Sequence, residues 1–171
     1  PLRRQRQMCI RDRAGTAGEA GHMIVQPGGR SCPCGNHGCL EQYISEPAVL
    51  SRYRELSGRT TVSIDDLVWA YNQKETAALA VTDEFTTYLA CGINNLWNLF
   101  SPECIILNSQ LTAYLPQLLP EILQKLSPRF RATCHLKLST LQDTGVLLGA
   151  ARVCISKYLG TEKLYFSGLQ P

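Results

Sequence analysis

Three cysteines within eight residues constrain this chain more than any other feature: Cys32, Cys34 and Cys39, in the segment SCPCGNHGCLE. The segment is polar and glycine-rich, so no core packing asks for sulfur there. A disulfide would leave one thiol over, and two cysteines separated by a single residue are awkward partners for a strain-free bridge. Three thiolates lack one ligand for tetrahedral zinc, and His22 stands upstream on the element that feeds the loop. The pattern reads His-x9-Cys-x-Cys-x4-Cys. Gly35 and Gly38 give the chain the freedom to turn all three sulfurs toward one ion. His37, inside the same loop, is a competing fourth ligand. A closed His/Cys3 site leaves no open position for an activated water, so the chemistry indicated is structural zinc without a hydrolytic role.

The other five cysteines carry no such pattern. Cys9 lies in the first thirteen residues, and Cys91, Cys104, Cys134 and Cys154 stand singly in apolar runs, where a thiol is expected to behave as a small buried hydrophobe. With 171 residues, 44% hydrophobic and 18% charged, the chain has the balance of one globular domain. No stretch approaches the roughly 18 uninterrupted apolar residues of a membrane span, so a cytoplasmic protein with no membrane partner is expected. The net charge of +3 suggests nucleic acid until it is located. Residues 1–13, PLRRQRQMCIRDR, hold five arginines and one aspartate, whereas the remaining residues carry 12 cationic against 13 anionic side chains. The basic character is therefore confined to a leader without helical or strand periodicity, to be read as a basic arm, an unstructured lead-in or a non-native segment. The convincing pattern begins at residue 14, so the chain is expected to be a fragment: a domain over 14–159, followed by a structureless tail over 160–171.

Within that domain, HMIVQ (22–26) predicts a short strand broken by Pro27-Gly28-Gly29. Ser45-Glu46-Pro47 opens a helix that runs to about Leu56 and stops at Gly58. Ser63 to Asp66 has the spacing of a capping box and starts a second helix ending near Gln73. Apolar residues at helical spacing from Glu75 to Phe100 predict one long helix ended by Ser101-Pro102, whose Trp97 and Asn94-Asn95 serve either a core stripe or a binding face. Cys104–Leu107 and His135–Ser139 read as strands. Between them, 112–126 reads as a helix made irregular by Pro116 and Pro120, and 145–159 as a final helix. That order implies an α/β layer with a largely parallel sheet.

The pieces Gly18-Glu19-Ala20-Gly21-His22 and Cys32-x-Cys34-Gly35-x-x-Gly38-Cys39-x-Glu41, at this separation, resemble the signature of the ROK family of bacterial sugar-responsive repressors and sugar kinases. YLACGINNLWNLFSPECIIL and TGVLLGAARV extend the resemblance over residues 14–158, as the carboxy-terminal half of such a protein. It implies a ribonuclease-H-like, actin/hexokinase-type α/β domain with an inserted zinc loop. His22, Cys32, Cys34 and Cys39 would be the zinc ligands, and Glu19, His22 and Glu41 the groups that contact a sugar's hydroxyls. The chemistry is coherent: carboxylates accept hydroxyl hydrogens, and one imidazole can serve metal and sugar with its two nitrogens. Each carboxylate also has a plainer reading, Glu41 as a helix-start acid favoured by the dipole and Glu19 as a solvated loop residue.

The family divides between kinase and repressor. Its kinases carry a Gly-Gly turn after the strand corresponding to Cys104–Leu107, where the backbone approaches the nucleotide. This chain has Asn108-Ser109-Gln110, whose side chains would crowd that approach. The segment IILNSQLTAYLPQLLPEI most resembles the xylose-operon and N-acetylglucosamine repressor branch. The resulting expectation is the sugar-sensing, homodimerising (or higher-order) part of a ROK repressor, touching DNA only through an amino-terminal domain outside this chain. The alternative is a fragment of an ATP-dependent, glucokinase-like sugar kinase. On either reading, an exposed apolar face is expected on residues 75–159, where the rest of the protein docks.

Overall fold

The computed structural model of the protein describes residues 18–141 and 144–160. The basic leader 1–13 and the tail beyond Gly160 lie outside the described residues.

Capping residues and prolines cut the chain into its helices. A single 3-10 turn over Ala20–His22 is followed by α1 (Glu41–Ile44), α2 (Glu46–Ser57), α3 (Ile64–Asn72) and α4 (Thr76–Phe100). Pro47 sits in the first turn of α2, and Gly58 ends it in the left-handed conformation at φ 69°, as its lack of a Cβ allows. Ser63 and Asp66 form a reciprocal capping box at the head of α3. The shorter aspartate thus does the work usually given to glutamate. At 25 residues and about 1.5 Å per residue, α4 is about 37 Å long and forms the spine. Its buried residues Ala78, Val81, Thr82, Phe85, Thr86, Leu89 and Ile93 recur at helical spacing and face α2 on one side and the carboxy-terminal helices on the other.

The chain then forms β1 (Cys104–Leu107), α5 (Gln110–Tyr114), α6 (Leu118–Lys125), α7 (Pro128–Thr133), β2 (His135–Leu138) and α8 (Gly145–Leu159). The irregular helix expected over 112–126 is two helices, because Pro116 cannot extend α5 and Leu115 leaves the helical region. Helix α7 was not anticipated, although Ser127-Pro128 is a cap and first-turn pair and Ser127 accepts from the Phe130 N–H at 3.2 Å. Lys125 pins α6 to α4 through Asp83, Thr86 and Thr87. Trp97 packs edge-on against buried Phe130, and the Asn94 carboxamide oxygen accepts from the Ser127 N–H, so that face of α4 belongs to the core.

Strands β1 and β2 pair in parallel, Cys104 opposite His135 through Leu107 opposite Leu138. Ile105, Leu107 and Leu136 turn toward the core, while Ile106 on the other face is 65% exposed. Helix α8 has no buried residue; Val146 is 77% and Tyr158 91% exposed. The apolar surface expected on residues 75–159 is thus present, made by α8, the outer face of β1 and the end of α4 at Leu99 and Phe100.

Two expectations are corrected. Residues 22–26 are not a strand: of these five only Ile24 forms a bridge, antiparallel with Cys39, because the opposing segment turns away at Gly38. Cys134 is buried and Cys91 half-buried, but Cys104 and Cys154 are exposed, since the apolar runs around them are themselves uncovered.

Candidate functional site

Glycines and backbone hydrogen bonds build the site before any side chain contributes. The 3-10 turn, closed by the His22 N–H donating to the Glu19 carbonyl at 3.0 Å, sets Glu19 and His22 on one side. The chain then runs back-to-back with residues 38–40: the Val25 N–H donates to the Gly38 carbonyl at 2.9 Å, and the Leu40 N–H to the Met23 carbonyl at 2.9 Å. Gly38 is obligatory there. Its φ is +81°, and a Cβ would fall 1.7 Å from the Gln26 carbonyl oxygen. Within the loop the Cys32 N–H donates to the Asn36 carbonyl and the Gly35 N–H to the Cys32 carbonyl, both at 2.9 Å.

These constraints gather four side chains from a span of eighteen residues. The ligating atoms of His22, Cys32, Cys34 and Cys39 all lie within 4.8 Å of one another. His37 is exposed and is not part of this cluster, so the loop's choice falls on His22. The Cys34 and Cys39 sulfurs are 3.6 Å apart, and the Cys32 sulfur is 3.6 Å from His22 Nδ1. A tetrahedral ion with metal–sulfur bonds of about 2.3 Å and metal–nitrogen bonds of about 2.0 Å has edges of about 3.5 to 3.8 Å. The donors therefore fit a four-coordinate metal ion. The thiols differ in readiness to ligate. Burial, reinforced by Cys34 and Cys32, pushes the Cys39 thiol up to about 12, whereas the Asn36 backbone N–H and then Cys32 hold the exposed Cys34 below its ordinary value. A metal entering this cluster must displace a proton from Cys39.

Two carboxylates flank the His22 ring, Glu41 beside Nδ1, which it shares with the Cys32 sulfur, and Glu19 beside Nε2. Glu41 Oε2 is 3.6 Å from Nδ1, and Glu19 Oε2 is 4.0 Å from Nε2. All three predicted polar groups converge on one exposed spot, two acceptors flanking one imidazole. Glu41 is also the first residue of α1 and thus serves the dipole as its plainer reading required. From Glu41 a depression of about 350 Å³ runs between α4 and β1, past Phe85 and Leu89, to Asn108 and Ser109.

Sequence reasoning missed the residues that hold this site in place. Arg30 reaches across to α1 and α4: its N–H donates to Tyr43 Oη at 3.0 Å, Nη1 donates to the Gln42 carbonyl at 2.7 Å, and Nη2 pairs with Glu84. Its guanidinium lies 4.6 Å over the Tyr43 ring, which stacks on Tyr88 at 4.0 Å. Gln42 Nε2 donates to the Cys32 sulfur at 3.6 Å. The signal available was an arginine next to the cysteine loop, in a chain whose other cations lie elsewhere.

The profile of the ROK family matches residues 6–157. The chain is 30% identical over 155 residues to the xylose repressor of Bacillus spizizenii, an overlap of 88% of this chain and 40% of that protein. It is 33% identical over 118 residues to the N-acetylglucosamine repressor of Escherichia coli O6:H1, covering 64% of this chain and 29% of the repressor. Among solved structures, the ROK hexokinase of Thermus thermophilus superimposes with a TM-score of 0.67 at 25% identity, over 84% of this chain and 50% of the hexokinase. The chain thus spans half or less of the length of each of these proteins.

Proposed function

The chain belongs to the ROK family, and on that premise we propose that it is the sugar-sensing part of a bacterial, cytoplasmic ROK transcriptional repressor of carbohydrate use, stapled by one structural zinc. The observation that carries the reading is the convergence of Glu19 and Glu41 on His22, whose other neighbour is the sulfur cluster. Cys32, Cys34, Cys39 and His22 would hold the zinc, which would supply a structural anchor for the loop. With Nδ1 turned to the sulfur cluster, His22 would offer its Nε2–H, beside Glu19, to a sugar oxygen. Glu19 and Glu41 then accept hydroxyl hydrogens on either side. Sugar binding acts on DNA affinity by favouring one of two arrangements of the protein, which requires different sugar affinities in the two. DNA contact rests with a domain outside this chain. The uncovered apolar surface of α8 supports a homo-oligomer or close packing with the rest of the polypeptide. No helix of the described residues is long and apolar enough to cross a membrane.

A sugar kinase is the second reading, favoured by the superposition on the hexokinase. Against it stand the repressor relatives and Asn108-Ser109, which put side chains on the turn where the kinases of the family have glycines. Calorimetry with D-xylose, D-glucose and N-acetylglucosamine tests the sugar site, with Glu19→Ala as the control that should lose the heat. An ADP-release assay with ATP and the bound sugar separates the readings: turnover establishes the kinase, and its absence together with sugar binding supports the repressor.

A further inference from the structure

We infer that Arg30 is a positioning residue that sets the short helix bearing Glu41 against both the metal loop and the spine helix. The functional half of this inference rests on reading Glu41 as a sugar ligand. Helix α1 has four residues and no side-chain cap at its amino end, far short of the length at which a helix sustains itself. Its placement must come from outside. Leu40 packs against Gly92 of α4 and Tyr43 stacks on Tyr88, but both contacts are apolar or aromatic and leave the backbone of α1 untied. Arg30 supplies the polar tie, donating from Nη1 to the Gln42 carbonyl at 2.7 Å. A carbonyl in the last turn of a helix lacks an intrahelical partner, and a guanidinium is well suited to satisfy it.

The other arms of Arg30 fix where that tie is anchored. Its carbonyl accepts from the Gly38 N–H at 2.7 Å, which closes the cysteine loop. Nη2 pairs with Glu84 of α4, whose second oxygen accepts from Arg52 Nε of α2 at 3.1 Å. The neighbouring Gly29 leaves room for Tyr43 Oη to meet the Arg30 N–H, since a Cβ on Gly29 would lie 2.1 Å from that oxygen. One side chain therefore joins the loop, α1 and α4, and only a planar fork can reach the Gln42 carbonyl and Glu84 while stacking on Tyr43. The position of the loop and the aim of Glu41 become coupled through it.

The test uses the full, zinc-loaded chain with Arg30→Met and, as the conservative variant that keeps the charge, Arg30→Lys. Three quantities are read: zinc per chain, sugar affinity by calorimetry, and exchange of the Tyr43, Ile44 and Ser45 amides, which close α1 onto Leu40 and Glu41. Loss of one charge-assisted hydrogen bond predicts about tenfold faster exchange and about tenfold weaker sugar binding in Arg30→Met, with zinc content unchanged. Arg30→Lys should recover part of both. Native exchange at these three amides in Arg30→Met overturns the inference, and so does zinc loss in parallel with the faster exchange, which would make Arg30 a strut of the loop alone. If the wild type binds no sugar while Arg30→Met still loses protection, the sugar reading falls and the positioning role stands.

Discussion

The metal loop and the carboxy-terminal sheet region are opposite solutions to the same difficulty, a stretch too short to fold on its own. Residues 19–45 bury few apolar side chains. Their shape comes from backbone bonds to Gly38 and from the Arg30 fork, which together gather four His and Cys side chains within 4.8 Å. Residues 104–159 are rich in Ile, Leu and Val, yet α8 buries none of them and the two-stranded sheet leaves one face open. The loop has connections and little hydrophobic surface; α8 has hydrophobic surface and few connections. Stability in the first should respond to metal and backbone geometry, and in the second to whatever apolar surface comes to lie on it.

Removing the metal should break the comparison most sharply. With zinc chelated, or with Cys34→Ser, the proposed zinc site predicts that residues 22–41 lose exchange protection while the core of α2, α3 and α4 keeps its own, since the loop has few apolar side chains to hold it. One zinc per purified chain, absent in Cys34→Ser, is the companion measurement; a metal-free protein with a protected loop would sink the idea. Next in size is a contrast between core and surface. Phe130→Ala should cost about 3–5 kcal/mol in denaturant unfolding, since that ring is fully buried against Trp97. Val146→Asp in α8 should stay within about 0.5 kcal/mol, as expected of a side chain that touches no core. A large loss from Val146→Asp would show that α8 is covered in solution.

The same contrast explains what could be read in advance. The cysteine spacing and the glycines pointed to the four side chains that the fold gathers within 4.8 Å, because ligation chemistry is written in residue types a few positions apart. Helix ends at Gly58, Ser63 and Ser101 were legible for the same reason, each cap being a local contact. Arg30 with Glu84 was not, since 54 residues separate them and nothing in either neighbourhood announces the other. Residues 22–26 carried strand composition, but a strand needs a straight partner, and Gly38 bends the one available. Cys104 and Cys154 failed because an apolar run predicts burial only when a second surface lies over it.

Gly38→Ala tests backbone geometry without touching a ligand. The new methyl group would meet the Gln26 carbonyl, backbone rather than a flexible side-chain end, at a φ that side chains rarely adopt. A loss of about 2–3 kcal/mol from loop opening, together with weaker zinc retention, is expected. Gly92→Ala is the matched comparison: the obstacle there is the Leu40 Cδ2 methyl at 2.6 Å, which can rotate away, so the loss should be smaller. Equal losses at the two positions would mean that backbone strain is not what the loop depends on.

The smallest effect lies in neither region but at the cap of α3, and it calibrates the others. Ser63 donates to Asp66 from both its hydroxyl, at 2.7 Å, and its backbone N–H, at 2.8 Å, and these bonds hold the Asp66 carboxyl below its ordinary 3.8. A carboxyl whose value is depressed in the folded state adds stability that is present above the unfolded value and lost as pH falls through the folded one. Thermal unfolding of the wild type should therefore fall off more steeply below about pH 3.8 than that of Asp66→Asn, and the two should run parallel above pH 5. The shift should be slight, because the cap is exposed, and independent of zinc, because α3 touches no ligand. Curves for the two proteins that stay parallel into acid would remove the cap as a source of stability. Curves that diverge only when zinc is absent would tie α3 to the loop after all.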